Sequence, residues 1–93
     1  MVTRRDARTD ANQKEIIKAL EAAGAAVWHI RQPLDLLVAY AGKFYILEVK
    51  SKYGKLNKKQ TRAASRMLAR GCVPGIVKTS EEALKAIGAI GKD

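Results

Sequence analysis

Apolar residues recur along this chain with two different periods, and the changes of period mark its elements. Over residues 10–23 (DANQKEIIKALEAA) Ile16, Ile17, Leu20 and Ala23 fall at helical spacing. Asp10 is placed to cap that helix, Gln13 stands at its third position, and Gly24 follows as a stop. Residues 25–30 (AAVWHI) are short and β-prone. Residues 35–50 (DLLVAYAGKFYILEVK) hold two apolar runs around Ala41-Gly42, the pattern of a β-hairpin. Helical spacing returns over about 57–70, with Asn57 as cap, Gln60 as third residue and Gly71 as stop. Residues 73–78 (VPGIVK) read as a fourth strand whose Pro74 belongs at a sheet edge. Thr79-Ser80-Glu81-Glu82 then opens a last helix through about residue 88. The order α-β-β-β-α-β-α predicts an α/β fold with a mixed β-sheet flanked by helices, because an antiparallel hairpin is followed by a helical crossover into another strand.

Composition narrows the class. With 93 residues the expectation is one domain over 1–93, with residues 1–9 as a flexible basic N-terminus. An apolar fraction of 47% is too high for a disordered chain. No apolar run approaches the roughly 18 residues of a membrane span. The first residues, MVTRRDARTDANQKE, lack the apolar stretch of a signal peptide. A single cysteine, Cys72, allows no internal disulfide and no zinc cluster, and is expected as a small buried residue at a strand start. These features predict a soluble intracellular protein with no membrane partner.

Charge changes the picture more. Eighteen basic and nine acidic residues leave a net +9, and the excess is local. Residues 50–70 hold eight basic side chains (Lys50, Lys52, Lys55, Lys58, Lys59, Arg62, Arg66 and Arg70) and no acid, leaving ten basic and nine acidic residues elsewhere. Such a block favours a polyanionic partner, because each phosphate contact releases counterions. A solvated helix face is the alternative. Lys58, Arg62, Arg66 and Arg70 recur every four residues, opposite the face of Gln60, Ala63, Ala64 and Met67. Lys52 and Lys55, in the loop that leaves the hairpin, are well placed for phosphate contact, and Lys59 adds to the same helix.

The hairpin carries the candidate chemistry. With the turn at Ala41-Gly42, Tyr40 pairs with Lys43 and Leu36 with Leu47, so Asp35 lies directly opposite Glu48. Like charges facing each other across strands destabilise by about 0.2–1 kcal/mol. The neighbours on both sides are apolar, which calls for a compensating charge, and a divalent cation with oxygen ligands supplies one. Lys50 projects from the same face as Glu48, where it can offset carboxylate charge or orient a water for attack. The competing explanation is an ordinary Glu48–Lys50 ion pair, with Asp35 merely opening its strand after Pro33.

Leu34-Asp35-Leu36-Leu37-Val38, then Gly42, then Tyr45-Ile46-Leu47-Glu48-Val49-Lys50-Ser51 resembles the PD-(D/E)xK nuclease superfamily. The short chain is similar to its stand-alone virus-type replication-repair nuclease (VRR-NUC) domains and to archaeal Holliday junction resolvases. The resemblance runs from the first helix to about residue 78. Leu34 stands between Pro33 and Asp35, where the family often has Pro immediately before the Asp. The resemblance implies a restriction-endonuclease-like core, with Asp35, Glu48 and Lys50 at the metal-binding and catalytic positions and the Val49 carbonyl as a further metal ligand. Glu15 matches an acid that often completes the site, with a solvent-facing position as the alternative. Gln60 looks like the family's glutamine on the helix after the active-site strands, while its place in a capping box with Asn57 explains it equally well.

The function so implied is a Mg²⁺- or Mn²⁺-dependent, structure-selective DNA endonuclease. It would hydrolyse phosphodiester bonds at branched DNA such as Holliday junctions or flaps, in a bacterial or phage-infected cytoplasm. A symmetric junction needs two cuts, and two-fold dimers are the commonest oligomers, so a homodimer is expected. A non-catalytic nucleic-acid-binding module is the alternative, for which the basic block alone would suffice. RNA as substrate is a weaker one.

Overall fold

A computed structural model describes residues 4–91, with side chains from Asn12 onward. The elements follow the order α1 (Arg4–Ala22), β1 (Ala26–His29), β2 (Leu36–Tyr40), β3 (Lys43–Val49), α2 (Lys58–Ala69), β4 (Gly75–Val77) and α3 (Ser80–Ala86). One four-stranded sheet runs β1-β2-β3-β4, antiparallel through the first three strands and parallel between β3 and β4. This is the mixed sheet that the period changes predict, and it is consistent with the restriction-endonuclease-like core that the resemblance implies.

The register of the central hairpin is the one that places Asp35 against Glu48. Leu36 pairs with Leu47, Leu37 with Ile46, and Tyr40 with Lys43. Ala41 and Gly42 both adopt positive φ, 51° and 82°, the requirement of a two-residue turn whose twist matches the flanking strands. Pairing register decides which side chains face the core. Ile16, Leu20, Leu36, Val38, Leu47, Val49, Val77, Ala83 and Ile87 are buried together, so α1 and α3 cover this face of the sheet. The opposite face carries Trp28, Leu37 and Ile46 in one cross-strand row and Ala26, Ala39 and Phe44 in the next. Gly75 lets β4 lie close to β3, since a Cβ there would come within 2.6 Å of Leu47 Cδ2.

Two expectations are corrected. The first helix begins at Arg4, not at Asp10, so residues 4–9 are helical and Asp10 lies inside the helix. The segment RRDARTDA contains no Gly or Pro to stop the helix from extending backward. Residues 1–3 of the expected flexible N-terminus lie outside the described residues. Cys72 is exposed, in the turn between α2 and β4, because the strand starts three residues later at Gly75. Among the described residues no helix is long and apolar enough to cross a membrane.

Candidate active site

Asp35 and Glu48 meet where β2 begins and β3 ends. Alternation puts Glu48 on the face of Ile46, away from the α1–α3 core. Even so, only 2% of Glu48 is exposed. Each carboxylate is held by a backbone N–H from the opposite segment of the hairpin. The Asp35 N–H donates to Glu48 Oε1 at 3.0 Å, and the Val49 N–H donates to Asp35 Oδ2 at 2.9 Å. The Asp35 carbonyl accepts from the N–H groups of Ile30 and Arg31, which pins the loop before β2. Leu34, interposed before Asp35, is fully buried and anchors that loop in the protein.

Glu48 Oε2 gathers two further donors. Gln60 Nε2 lies 2.7 Å away and Lys50 Nζ 3.3 Å away. Burial, and next the charge of Asp35, push the Glu48 carboxyl above its ordinary range, while Lys50 pulls in the opposite direction. The ion pair of the competing explanation is therefore present. It does not stand alone, because the same carboxylate also bonds Asp35 and Gln60.

Gln60 both caps α2 and reaches Glu48. Its Oε1 accepts from the Asn57 N–H at 3.0 Å, and its own N–H donates to Asn57 Oδ1 at 2.8 Å, a complete capping box at the start of α2. With Oε1 occupied in this way, Nε2 is the end presented to Glu48.

Lys50 is also fixed through its backbone. Its N–H donates to the Val77 carbonyl at 2.9 Å, and its carbonyl accepts from Asn12 Nδ2 at 3.1 Å. Nothing in its sequence context singles out Asn12, since a polar residue early in a helix is common. Gln13 beside it is 4% exposed, and its Oε1 has no hydrogen-bond partner among the described residues. Gln13 stands three residues before Ile16 and seven before Leu20, so the apolar stripe extended backward passes through it.

Glu15 departs from expectation. It is exposed, and among the described residues no three acidic, histidine or cysteine side chains come together. Helix rotation is the reason: with Ile16 and Leu20 facing the core, Glu15 points outward, and Ser80 Oγ bonds its carbonyl instead. Val49 has its side chain in the core and its N–H on Asp35. Lys52, Lys55, Lys58, Lys59, Arg62 and Arg66 are all exposed. The loop holding Lys52 is tied down by Lys78 Nζ, which donates to the Lys52 carbonyl at 2.9 Å, and Lys52 Nζ lies 5.4 Å from the centre of the Tyr53 ring. Ala64 is buried, and Ala63 and Met67 are half-buried, on the inner face of α2.

No protein-family model matches the sequence, and no curated protein does. A solved structure titled "VRR_NUC domain" is similar with a TM-score of 0.71 and 28% identity, over 85% of this chain and 92% of that one. The likeness spans most of both chains, so it concerns the fold of the domain as a whole. This likeness supports a VRR-NUC domain, a family of the PD-(D/E)xK superfamily.

Proposed function

We propose that this domain is a divalent-metal-dependent DNA endonuclease acting at branched DNA. The observation that carries the reading is the convergence on Glu48 of Asp35, Lys50 and Gln60 in a buried site at the sheet end. A carboxyl group pushed above its ordinary range by burial and by a second carboxylate is poorly compensated without further positive charge. The donor set fits a hard cation such as Mg²⁺ or Mn²⁺, which takes oxygen ligands and uses only one or two carboxylates alongside substrate phosphate. Asp35 and Glu48 would hold it, with the Val49 carbonyl as a third protein oxygen. When bound, the ion offsets charge on the phosphate and makes a water more acidic.

The protein's own groups have separate tasks in this reading. Lys50 orients the water that attacks phosphorus and stabilises the charge that develops. Gln60 keeps the Glu48 carboxylate in one orientation by donating to Oε2. Asn12 and Val77 hold the Lys50 backbone, which limits where Nζ can reach. The Asp35 and Val49 N–H groups fix the rotamers of the two acids before substrate arrives. Lys52, Lys55 and the basic residues of α2 contact the DNA backbone.

A second copy is expected on the outer sheet face. Trp28 and Phe44 are 49% and 70% exposed there, beside half-buried Leu37 and Ile46. Two-fold pairing would cover these residues and provide the two active sites that a four-way junction needs. Light scattering at tens of micromolar tests this: a dimer is expected, and a monomer that still resolves junctions would overturn it.

The catalytic test is incubation with labelled linear, flap and four-way-junction DNA in Mg²⁺, Mn²⁺ or EDTA. Cleavage of branched DNA, abolished by EDTA, is expected. Binding with no cleavage under any condition would favour a non-catalytic nucleic-acid-binding module.

A further inference from the structure

A groove separates the loop before β2 from the helix α2. Its first part is a cavity of about 400 Å³ between Arg31 and Pro33 on one side and Lys59, Arg62 and Arg66 on the other. Gln60, whose Nε2 bonds Glu48, lines the same cavity and joins it to the candidate active site. None of its described lining residues is acidic. The second part, about 420 Å³, shares Pro33, Ala63 and Arg66 with the first and continues along Met67 and Ala69. The groove is thus cationic next to the carboxylates and mostly apolar beyond them, where Arg70 also lines it.

We infer that this groove holds one unpaired nucleotide of the DNA strand beside the scissile phosphate. Its phosphate would lie between Arg31 and the Arg62–Arg66 face, and its base against Pro33, Ala63 and Met67. The inference rests on the nuclease reading and deepens it by naming the substrate feature: a single-stranded segment at a branch or end. Three physical points support it. The volume lies within the roughly 300–1,000 Å³ of small-ligand sites, which admits a nucleotide and excludes a duplex. Cations on two facing walls can grip a backbone that enters between them, whereas a duplex lying on the surface reaches only one wall. An unstacked base has an apolar face to bury, which the second cavity accepts without needing sequence-specific contacts. Five cations line the groove (Arg31, Lys59, Arg62, Arg66 and Arg70) and no described lining residue is acidic, which favours a polyanion as its occupant.

Arg31 offers a clean test. Its φ is +71°, so Arg31→Gly deletes the guanidinium at a position where glycine is conformationally at ease. Binding is measured by fluorescence anisotropy with the full chain in EDTA. The probes are a blunt duplex, the same duplex with a single-stranded extension, and that extension with an abasic nucleotide at the junction. Wild type is expected to bind the extension more tightly than the blunt duplex, and the abasic probe severalfold more weakly than the intact extension. Arg31→Gly should weaken binding of the extension about tenfold while changing the blunt duplex less than about twofold. Arg66→Ala, from the opposite wall, should shift the preference in the same direction and guards against a loop-specific artefact. Equal losses on all three probes, or no loss on any, would overturn the groove. Because no cleavage is read, binding with the expected preference but no metal-dependent cutting would defeat only the nuclease reading. Cutting without the preference would defeat only the groove.

Discussion

Asp35 and Glu48 face each other across the hairpin, yet each carboxylate is bonded to the backbone of the other's strand. Glu48 Oε1 accepts from the Asp35 N–H, and Asp35 Oδ2 accepts from the N–H of Val49, the residue after Glu48. Two acids that would repel are thereby locked side by side, so part of the electrostatic cost of the site is built in during folding. Relieving that cost while keeping the shape is the most direct way to test what the pair is for.

Asp35→Asn keeps an oxygen for the Val49 N–H and removes one negative charge. In EDTA the melting temperature should rise by a few degrees, corresponding to at most about 1 kcal/mol. Mn²⁺ should stabilise the variant much less than wild type, since stabilisation follows occupancy. Cleavage should be lost. Equal Mn²⁺ shifts in both proteins would remove Asp35 from the metal site.

Stability of the metal-free protein should depend on pH through Glu48. Its folded carboxyl sits above the range of the unfolded chain, mainly through burial and then through Asp35. Between those two values the folded state binds the extra proton, so unfolding free energy falls as pH rises through the window. Below the unfolded value the penalty disappears. Asp35→Asn removes the second cause, so the decline should shrink without vanishing. Melting curves in EDTA over about pH 4–8 check the sign, and stability rising with pH through this window in wild type alone would contradict it.

Lys50→Ala should lower the rate of cleavage by about 10²-fold or more while leaving DNA binding largely intact. The backbone bonds of Lys50 to Val77 and Asn12 survive the change, so the strand end stays in place. Single-turnover cleavage beside anisotropy on the same DNA separates chemistry from binding. Wild-type cleavage would exclude Lys50 from the mechanism.

Gln60 and Asn57 share a capping box, but only Gln60 touches Glu48. Either alanine substitution should cost about 1 kcal/mol of stability through the lost cap. Gln60→Ala should also reduce kcat, because Glu48 Oε2 loses its closest donor. Gln60→Glu should be worse for activity, since it puts a third carboxylate against the pair. Thermal melts and kcat for all three variants test this, and equal kcat in Asn57→Ala and Gln60→Ala would reduce Gln60 to a cap.

The fold and the central acid pair were legible because they depend on near neighbours. Ala41-Gly42 selects the turn, and the turn with the apolar alternation leaves one register, which puts Asp35 opposite Glu48. Asn57 and Gln60 likewise announce the start of α2, being three residues apart. A capping box does not reveal where the spare end of the glutamine points. That Nε2 meets Glu48 depends on how α2 is set against the end of β3, twelve positions away in sequence. The first helix teaches the same lesson. Its apolar stripe was clear, but whether Gln13 or Glu15 turns inward depends on helix rotation against the sheet, and Ile16 and Leu20 settle that by burying completely. Asn12 reaches the Lys50 carbonyl across a sequence separation of 38 residues. Local spacing determines elements and register because backbone geometry repeats over a few residues. Contacts among distant side chains are decided by packing, which only the tertiary structure carries.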